Sequence, residues 1–228
     1  MGGTMDLIEN PPLAVVIDLD DTLYPTSSFV YGATRAVGRA GAAAGLDPVR
    51  LTRAVRRGML GGAGIDGSLA ASGVDPELIP ALVAAFSTYR PRRLPAYPGA
   101  TAALSAISAR YPVACLTDGE PAVQRAKLAA TGLLNSFRAV VITDELGGRT
   151  LRKPHPEGLR QAAESLGVAP TDLVVIGDRP NTDMAVAAAL GARSIRVRTG
   201  NHADAPDAPP ATATVADLPA AAALLGAA

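Results

Sequence analysis

Three carboxylates and a hydroxyl, Asp18-Leu19-Asp20-Asp21-Thr22, follow directly on the apolar run Val15-Val16-Ile17. Acids at the end of a strand in a parallel sheet face the crevice where ligands bind. Alternate strand residues point to one side, so Asp18 and Asp20 converge on one bound group. Their mutual repulsion calls for a cation. Three further groups follow in order. Leu116-Thr117-Asp118-Gly119 offers a hydroxyl and backbone N–H groups that suit phosphoryl oxygens, with Gly119 allowing close approach. Arg152-Lys153-Pro154-His155-Pro156 places a lysine before proline, where an extended backbone can project the ammonium into the same crevice. Ile176-Gly177-Asp178-Arg179-Pro180-Asn181-Thr182-Asp183 closes the set, with Asp178 and Asp183 as oxygen ligands for a hard cation such as Mg²⁺. Taken singly each group is weak. Asp118-Gly119 is an ordinary turn pair, a lone lysine is usually solvated, and Asn181 or Asp183 equally suits a helix N-cap.

The elements that must position these groups are legible as a repeating pattern. Short apolar or β-branched runs predict strands over Ala14–Ile17, Val113–Leu116, Ala139–Ile142, Leu173–Ile176 and Ser194–Val197. Helices are predicted over Thr101–Ala109, Pro121–Ala130, Pro156–Leu166 and Asp183–Leu190, with Gly132, Gly167 and Gly191 placed as left-handed C-caps. Alternation of this kind implies an α/β fold, a Rossmann-like three-layer core around a parallel sheet. Between the first and second strands the pattern breaks. Helical patches at Val30–Ala44, Pro48–Met59 and Glu77–Tyr89 fill a stretch far longer than a crossover needs. This predicts a core domain of residues 1–23 and 97–228 and a helical cap of residues 24–96, with Pro91–Pro98 as the return linker. His202–Pro210 reads as loop, and Asp217–Leu225 as a last helix.

Composition narrows the classes. Of 228 residues 48% are hydrophobic, ample for a core. Basic and acidic residues balance at 21 each, so nothing recommends nucleic acid as a partner. No apolar run approaches the roughly 18–20 residues of a membrane span. Met1–Met5 lacks the charged-then-apolar pattern of a signal segment, and the lone Cys115 has no disulfide partner within the chain, so a reducing cytoplasm is expected. No signal bears on oligomeric state. Only two of the basic residues are lysines, Lys127 and Lys153. Amid so many arginines, a bias suited to GC-rich bacterial coding, each surviving lysine stands where arginine does not substitute.

Together the four groups resemble the haloacid dehalogenase-like hydrolase superfamily across most of the chain. Asp18, Asp20 and Thr22 match its DxDx[TV] motif, Thr117 its second-motif hydroxyl, Lys153 its third-motif lysine, and Gly177, Asp178 and Asp183 its GDxxxxD motif. Asp118 departs from the asparagine common in relatives, with little consequence because the backbone N–H is the usual contact. The inserted helices resemble the type-1 cap. The resemblance implies that Asp18 attacks phosphorus to form an aspartyl-phosphate, and that Asp20 serves as acid and then base. It implies Mg²⁺ held by the Asp18 carboxylate, the Asp20 carbonyl and Asp178, with Asp183 as an orienting acid or outer ligand. Thr22, Thr117, Asp118, Gly119 and Lys153 would contact the phosphoryl group. Asp21 is assigned an N-cap or surface role.

Among chemistries of that superfamily, Asp20 favours ester over carbon–halogen cleavage, and the absence of lysine from residues 24–96 disfavours a Schiff-base phosphonate cleaver. His155 and His202 lie outside the insert, unlike the cap groups of hexose-phosphate mutases. A Mg²⁺-dependent phosphatase of a small phosphorylated metabolite, such as a sugar phosphate, is expected. A phospho-accepting receiver, a metabolite binder without turnover, a nucleotidase and a phosphoglycolate phosphatase are the alternatives. Other features are discounted. Gly62–Gly67 fits GxGxxG with no preceding strand and is expected to be a flexible loop. Arg50, Arg53, Arg56 and Arg57 form a solvated helix face, while Arg90, Arg92 and Arg93 are better placed for an anionic substrate. His155, between prolines, is structural. Tyr24 either lines the pocket mouth or simply packs.

Overall fold

Alternate residues of the first strand belong to different cores. Val15 and Ile17 pack with one apolar cluster, Ala14 and Val16 with another, and all four are wholly buried. A strand buried on both faces belongs in the middle of a covered parallel sheet, and it lies there. In the computed structural model, which describes Leu7 and residues 9–227, the strands are β1 (Ala14–Ile17), β2 (Val113–Thr117), β3 (Ala139–Ile142), β4 (Leu173–Gly177), β5 (Arg193–Val197) and β6 (Ala213–Val215). Their order is β3-β2-β1-β4-β5-β6, all parallel. The Met1–Met5 segment lies outside the described residues.

The order reverses at β1, whose neighbours are β2 and β4. Such a switch point opens a crevice at the carboxyl ends of the strands. The register sets the acids beside it: Ile17 pairs with Ile176 and with Cys115, so Asp18, Asp178 and Thr117 emerge together. Helices α5 (Ala100–Arg110), α6 (Pro121–Thr131), α7 (Thr143–Gly147), α8 (Glu157–Leu166), α9 (Ala185–Ala189) and α10 (Leu218–Leu224) complete the core. All three expected C-cap glycines have positive φ.

The insert contains α1 (Thr26–Ala43), α2 (Pro48–Leu60), α3 (Ile65–Ala70) and α4 (Ile79–Ser87). The second starts cleanly because Asp47 accepts from the backbone N–H of Val49 and Arg50, with Pro48 in its first turn. Within the insert, Phe29 of the first helix meets Phe86 of the fourth edge-on at 5.7 Å between ring centres, and both belong to the apolar cluster that also holds Val15 and Ile17 of β1. Two sequence expectations fail here. Gly62–Gly67 is not a loop throughout, because Ile65 and Leu69 bury one face of a short helix that begins after Gly64. Asp21 is not a surface residue. It is buried at φ 59° and accepts from the backbone N–H of Thr26 (2.8 Å) and Asn201 (3.3 Å), tying the β1 loop to the insert and to the loop after β5. Its bond to the first helical N–H retains the helix-capping part of the expectation.

Among the described residues no helix is long and apolar enough to cross a membrane.

Candidate active site

Asp18 emerges from β1 with its backbone N–H still bonded to the Ile176 carbonyl (2.9 Å), which fixes it against β4. Its carboxylate accepts from Lys153 Nζ at 2.5 Å and from Thr22 Oγ1 at 3.3 Å. Lys153 also donates to Asp183 at 2.7 Å and to the Leu116 carbonyl at 3.2 Å, so one buried ammonium spans three strand ends. Thr22 bridges from Asp18 to Asp178 at 3.4 Å. It is wholly buried and works between the acids.

Oxygens of Asp18, Asp178 and Asp183 lie within 4.8 Å of one another, and all three residues are buried. Among the described residues Asp178 Oδ2 has no hydrogen-bond partner. An orphaned buried carboxylate oxygen among other carboxylates costs free energy unless a cation or proton meets it. The donor set is all oxygen, compact and anionic, which fits a hard divalent cation. Electrostatics agree. Burial, with the charges of Asp183 and Asp18, pushes Asp178 up to about 9. Burial also lifts Asp18 to about 7, against the pull of Lys153. Lys153 is held well above its ordinary range because the attraction of Asp18 and Asp183 overcomes the burial that works to lower it.

Asp183 is brought in by backbone geometry. A wide turn over Pro180–Met184 precedes α9, and Asp183 accepts from the Arg179 N–H at 3.0 Å. A Cβ on Gly177 would collide with the Asp183 carboxyl, so only glycine leaves room.

Asp20 sits apart from this cluster in its own cage. Lys127 Nζ donates to both of its oxygens at 2.9 and 2.7 Å, Gln124 Nε2 donates at 3.0 Å, and the Tyr24 hydroxyl donates to it as well. Burial acts to raise its pKa, but Lys127 and these donors hold Asp20 below the usual carboxylate range. Gln124 and Lys127 are one turn apart on α6, a helix whose start is fixed by the Glu120 carboxylate on the N–H groups of Ala122 and Val123.

Thr117 is buried and accepts from Gln124 at 2.5 Å, while Gly119 adopts φ 136°. The Asp118 side chain accepts from Thr143 Oγ1 (2.9 Å) and the Lys153 N–H (3.0 Å), so it braces the lysine loop. The expected residues thus gather at one sheet end, and the cage round Asp20 is the part sequence reasoning missed. Tyr24 was ambiguous, and Gln124 carried no signal. Lys127 carried one, its rarity, without a partner to attach it to.

A cavity of about 320 Å³ separates the insert from this crevice, apolar on the insert side (Phe29, Met59, Phe86) and polar on the core side (Gln124, Lys127, Arg152). A larger hollow of about 500 Å³ lies near the start of β2, beside Val113 and away from the acids. Arg90 donates to the carbonyls of Ser87 and Tyr89, so it caps a helix and does not reach the cavity. Its place is taken by Arg149 and Arg152, paired with Asp66 of the insert (2.8 Å) and Asp144 (2.6 Å). Arg56 is also engaged, with its guanidinium 4.4 Å from the Tyr31 ring centre. His155 Nδ1 accepts from the Glu157 N–H at an exposed turn.

Residues 12–191 match the haloacid dehalogenase-like hydrolase family. The chain belongs to that family. It is 32% identical over 203 residues to a glyceraldehyde 3-phosphate phosphatase of Methanopyrus kandleri, covering 84% of this chain and 86% of that one. A phosphoserine phosphatase of Thermus thermophilus is 38% identical over 144 residues, 63% of this chain and just over half (56%) of the relative. A HAD-hydrolase of Bacillus subtilis, solved with magnesium, superposes with a TM-score of 0.68 at 17% identity, covering 93% and 97% of the two chains. The Rossmann-like α/β fold expected from the alternation of strands and helices is therefore the fold of this chain.

Proposed function

We propose that this chain, a phosphatase of the haloacid dehalogenase-like family, hydrolyses a small phosphomonoester with Mg²⁺ through an aspartyl-phosphate on Asp18. The observation that carries the reading is the pairing of two unlike carboxylates. Asp18 lies against Lys153 and beside an orphaned oxygen of Asp178, while Asp20, two residues on, is held separately by Lys127, Gln124 and Tyr24. One acid is built to meet an electrophile beside cations, the other to move a proton.

Phosphate monoesters need accelerations of up to ~10²¹ over the uncatalysed reaction, and most of that comes from positioning and charge stabilisation. Lys153 and the Thr117 hydroxyl hold the phosphoryl oxygens, with the N–H groups about Gly119. Lys153 also reduces repulsion between an anionic nucleophile and an anionic ester. Asp18 attacks phosphorus, and the ester oxygen leaves with a proton that Asp20, an anion until the ester arrives, takes from the monoanionic ester and passes on. Asp20 then takes a proton from the water that attacks the same phosphorus and frees Asp18. Mg²⁺ would be held by Asp18, the Asp20 carbonyl and Asp178, with Asp183 orienting the set, and would neutralise charge on the phosphoryl oxygens. The helices of residues 24–96 serve as a cap whose closure keeps water out.

The cavity between cap and core has the volume of a short metabolite such as a sugar phosphate. Names of the relatives point the same way, towards small phosphorylated metabolites. The test is phosphate release from a panel including glyceraldehyde 3-phosphate, phosphoserine, phosphoglycolate and nucleoside monophosphates, with Mg²⁺ or with chelator. Turnover on one class that chelator abolishes is the expected result. Phosphate release from no ester by the folded protein with Mg²⁺ present would refute the reading.

A further inference from the structure

Lys127 is buried, yet it belongs to neither the acid cluster nor the apolar core. Its ammonium straddles both oxygens of Asp20, at 2.7 and 2.9 Å, and lies 4.8 Å from the ring centre of Phe29 on the first helix of the insert. Its neighbour one turn back, Gln124, uses a single amide nitrogen to join Asp20 Oδ2 (3.0 Å) to Thr117 Oγ1 (2.5 Å). The Asp20 carboxylate is therefore held from one face of α6 as well as by Tyr24 and Thr26 of its own segment. Both residues also border the cavity in which the leaving group would sit.

We propose that Lys127, assisted by Gln124, is a positioning residue that aims the Asp20 carboxylate at the leaving oxygen of the ester. The role rests on the phosphatase reading and deepens it. A carboxylate with free rotation about two side-chain bonds spends little time within reach of one oxygen. Four donors on its two oxygens, Lys127, Gln124, Tyr24 and the Thr26 hydroxyl, confine it. Lys127 is suited to this where arginine is not, because a compact ammonium can bridge both oxygens from beneath without the width of a guanidinium fork. The ring of Phe29 covers that ammonium from the insert side, so the position of the insert and the aim of Asp20 are coupled through one side chain.

Loss of aim has a signature that loss of folding lacks. An aryl phosphate such as p-nitrophenyl phosphate expels a stable phenolate and needs little help from an acid, whereas an alkyl phosphate needs that help fully. The parameter to read is kcat/KM, which reports steps up to departure of the leaving group. For Lys127→Met, kcat/KM for an alkyl phosphate is expected to fall by about 10- to 100-fold, part of the 10²–10⁴ that general acid catalysis supplies. On p-nitrophenyl phosphate the fall is expected to stay within about threefold, and Lys127→Arg is expected to recover only part of the alkyl activity. Lys127→Gln, which retains a donor, serves if the methionine variant does not fold. Thermal unfolding of the metal-free Lys127→Met, Asp20→Asn and doubly substituted proteins gives a second readout, and the two changes are expected to be non-additive. Equal losses on aryl and alkyl esters, or additive unfolding changes, would overturn the role of Lys127 while leaving the phosphatase intact. A wild-type protein that releases phosphate from neither ester would overturn the phosphatase reading and this role with it.

Discussion

The acid cluster makes the metal-free protein less stable as the solution becomes more alkaline. An aspartate in the unfolded chain ionises near 3.8, whereas folded Asp178 is pushed up to about 9. Between those values the folded chain holds a proton that the unfolded chain has released, so raising the pH favours unfolding. Each excess proton contributes about 1.4 kcal/mol per pH unit. From pH 6.5 to 8, Asp178 alone therefore lowers stability by about 2 kcal/mol. Asp18, raised to about 7, acts in the same direction in the lower part of that window. The window avoids groups of other origin. His202 is lowered from 6.5 by burial, so its influence lies below that value, and Cys115, raised by burial, acts only towards the unfolded thiol value of 9.0. For a chain of this length, ~2 kcal/mol corresponds to a fall in Tm of about 4–8 °C. The assay is thermal unfolding at fixed ionic strength in chelator, repeated in saturating Mg²⁺ and with Asp178→Asn. Mg²⁺ bound only by the folded form should raise Tm most at pH 8 and flatten the profile. Asp178→Asn should flatten the chelator profile on its own. A chelator profile that is flat for the wild type, or unchanged in slope by Asp178→Asn, would show that Asp178 holds no excess proton in the folded chain across this window.

Two further outcomes follow from the same geometry. Lys153→Met leaves Asp18 and Asp183 buried together without their shared cation, and removing one partner of a buried pair costs about 3–5 kcal/mol. Urea denaturation should show a correspondingly lower midpoint, restored in part by Mg²⁺. Gly177→Ala drives a methyl into the Asp183 carboxyl. The variant should lose most of the Tm increase given by Mg²⁺, and an undiminished increase would show that Asp183 has no part in the metal site.

Which parts of this protein could be read from its sequence follows from the range of the forces involved. Strands such as Leu173–Gly177 announce themselves because burial on both faces demands an unbroken apolar run. Asp18, Thr117 and Asp178 were legible because each stands at the end of such a run, where the topology must bring it to the crevice, and Lys153, in a loop well past β3, because lysine is rare in this chain. β6 was not legible, since three residues of Ala213–Val215 on the sheet edge carry too little apolar signal amid alanine, threonine and proline. The Ile65–Ala70 helix was hidden by the glycines around it, because its stability comes from burying Ile65 and Leu69 and not from local propensity. The cage around Asp20 was hidden for a different reason. Lys127 is 107 positions from Asp20, and only the packing of α6 against the β1 loop unites them. Asp21 misled in the same way, since its partners Tyr97 and Asn201 come from distant segments.

The most direct test of the central claim is to quench the enzyme with acid during turnover of a good ester and locate any phosphoryl group by peptide mass. One phosphoryl group is expected on the peptide carrying Asp18, formed with Mg²⁺, absent in chelator and absent from Asp18→Asn, which should also release no phosphate. Steady phosphate release by Asp18→Asn, or a phosphoryl group trapped on a different residue, would contradict it.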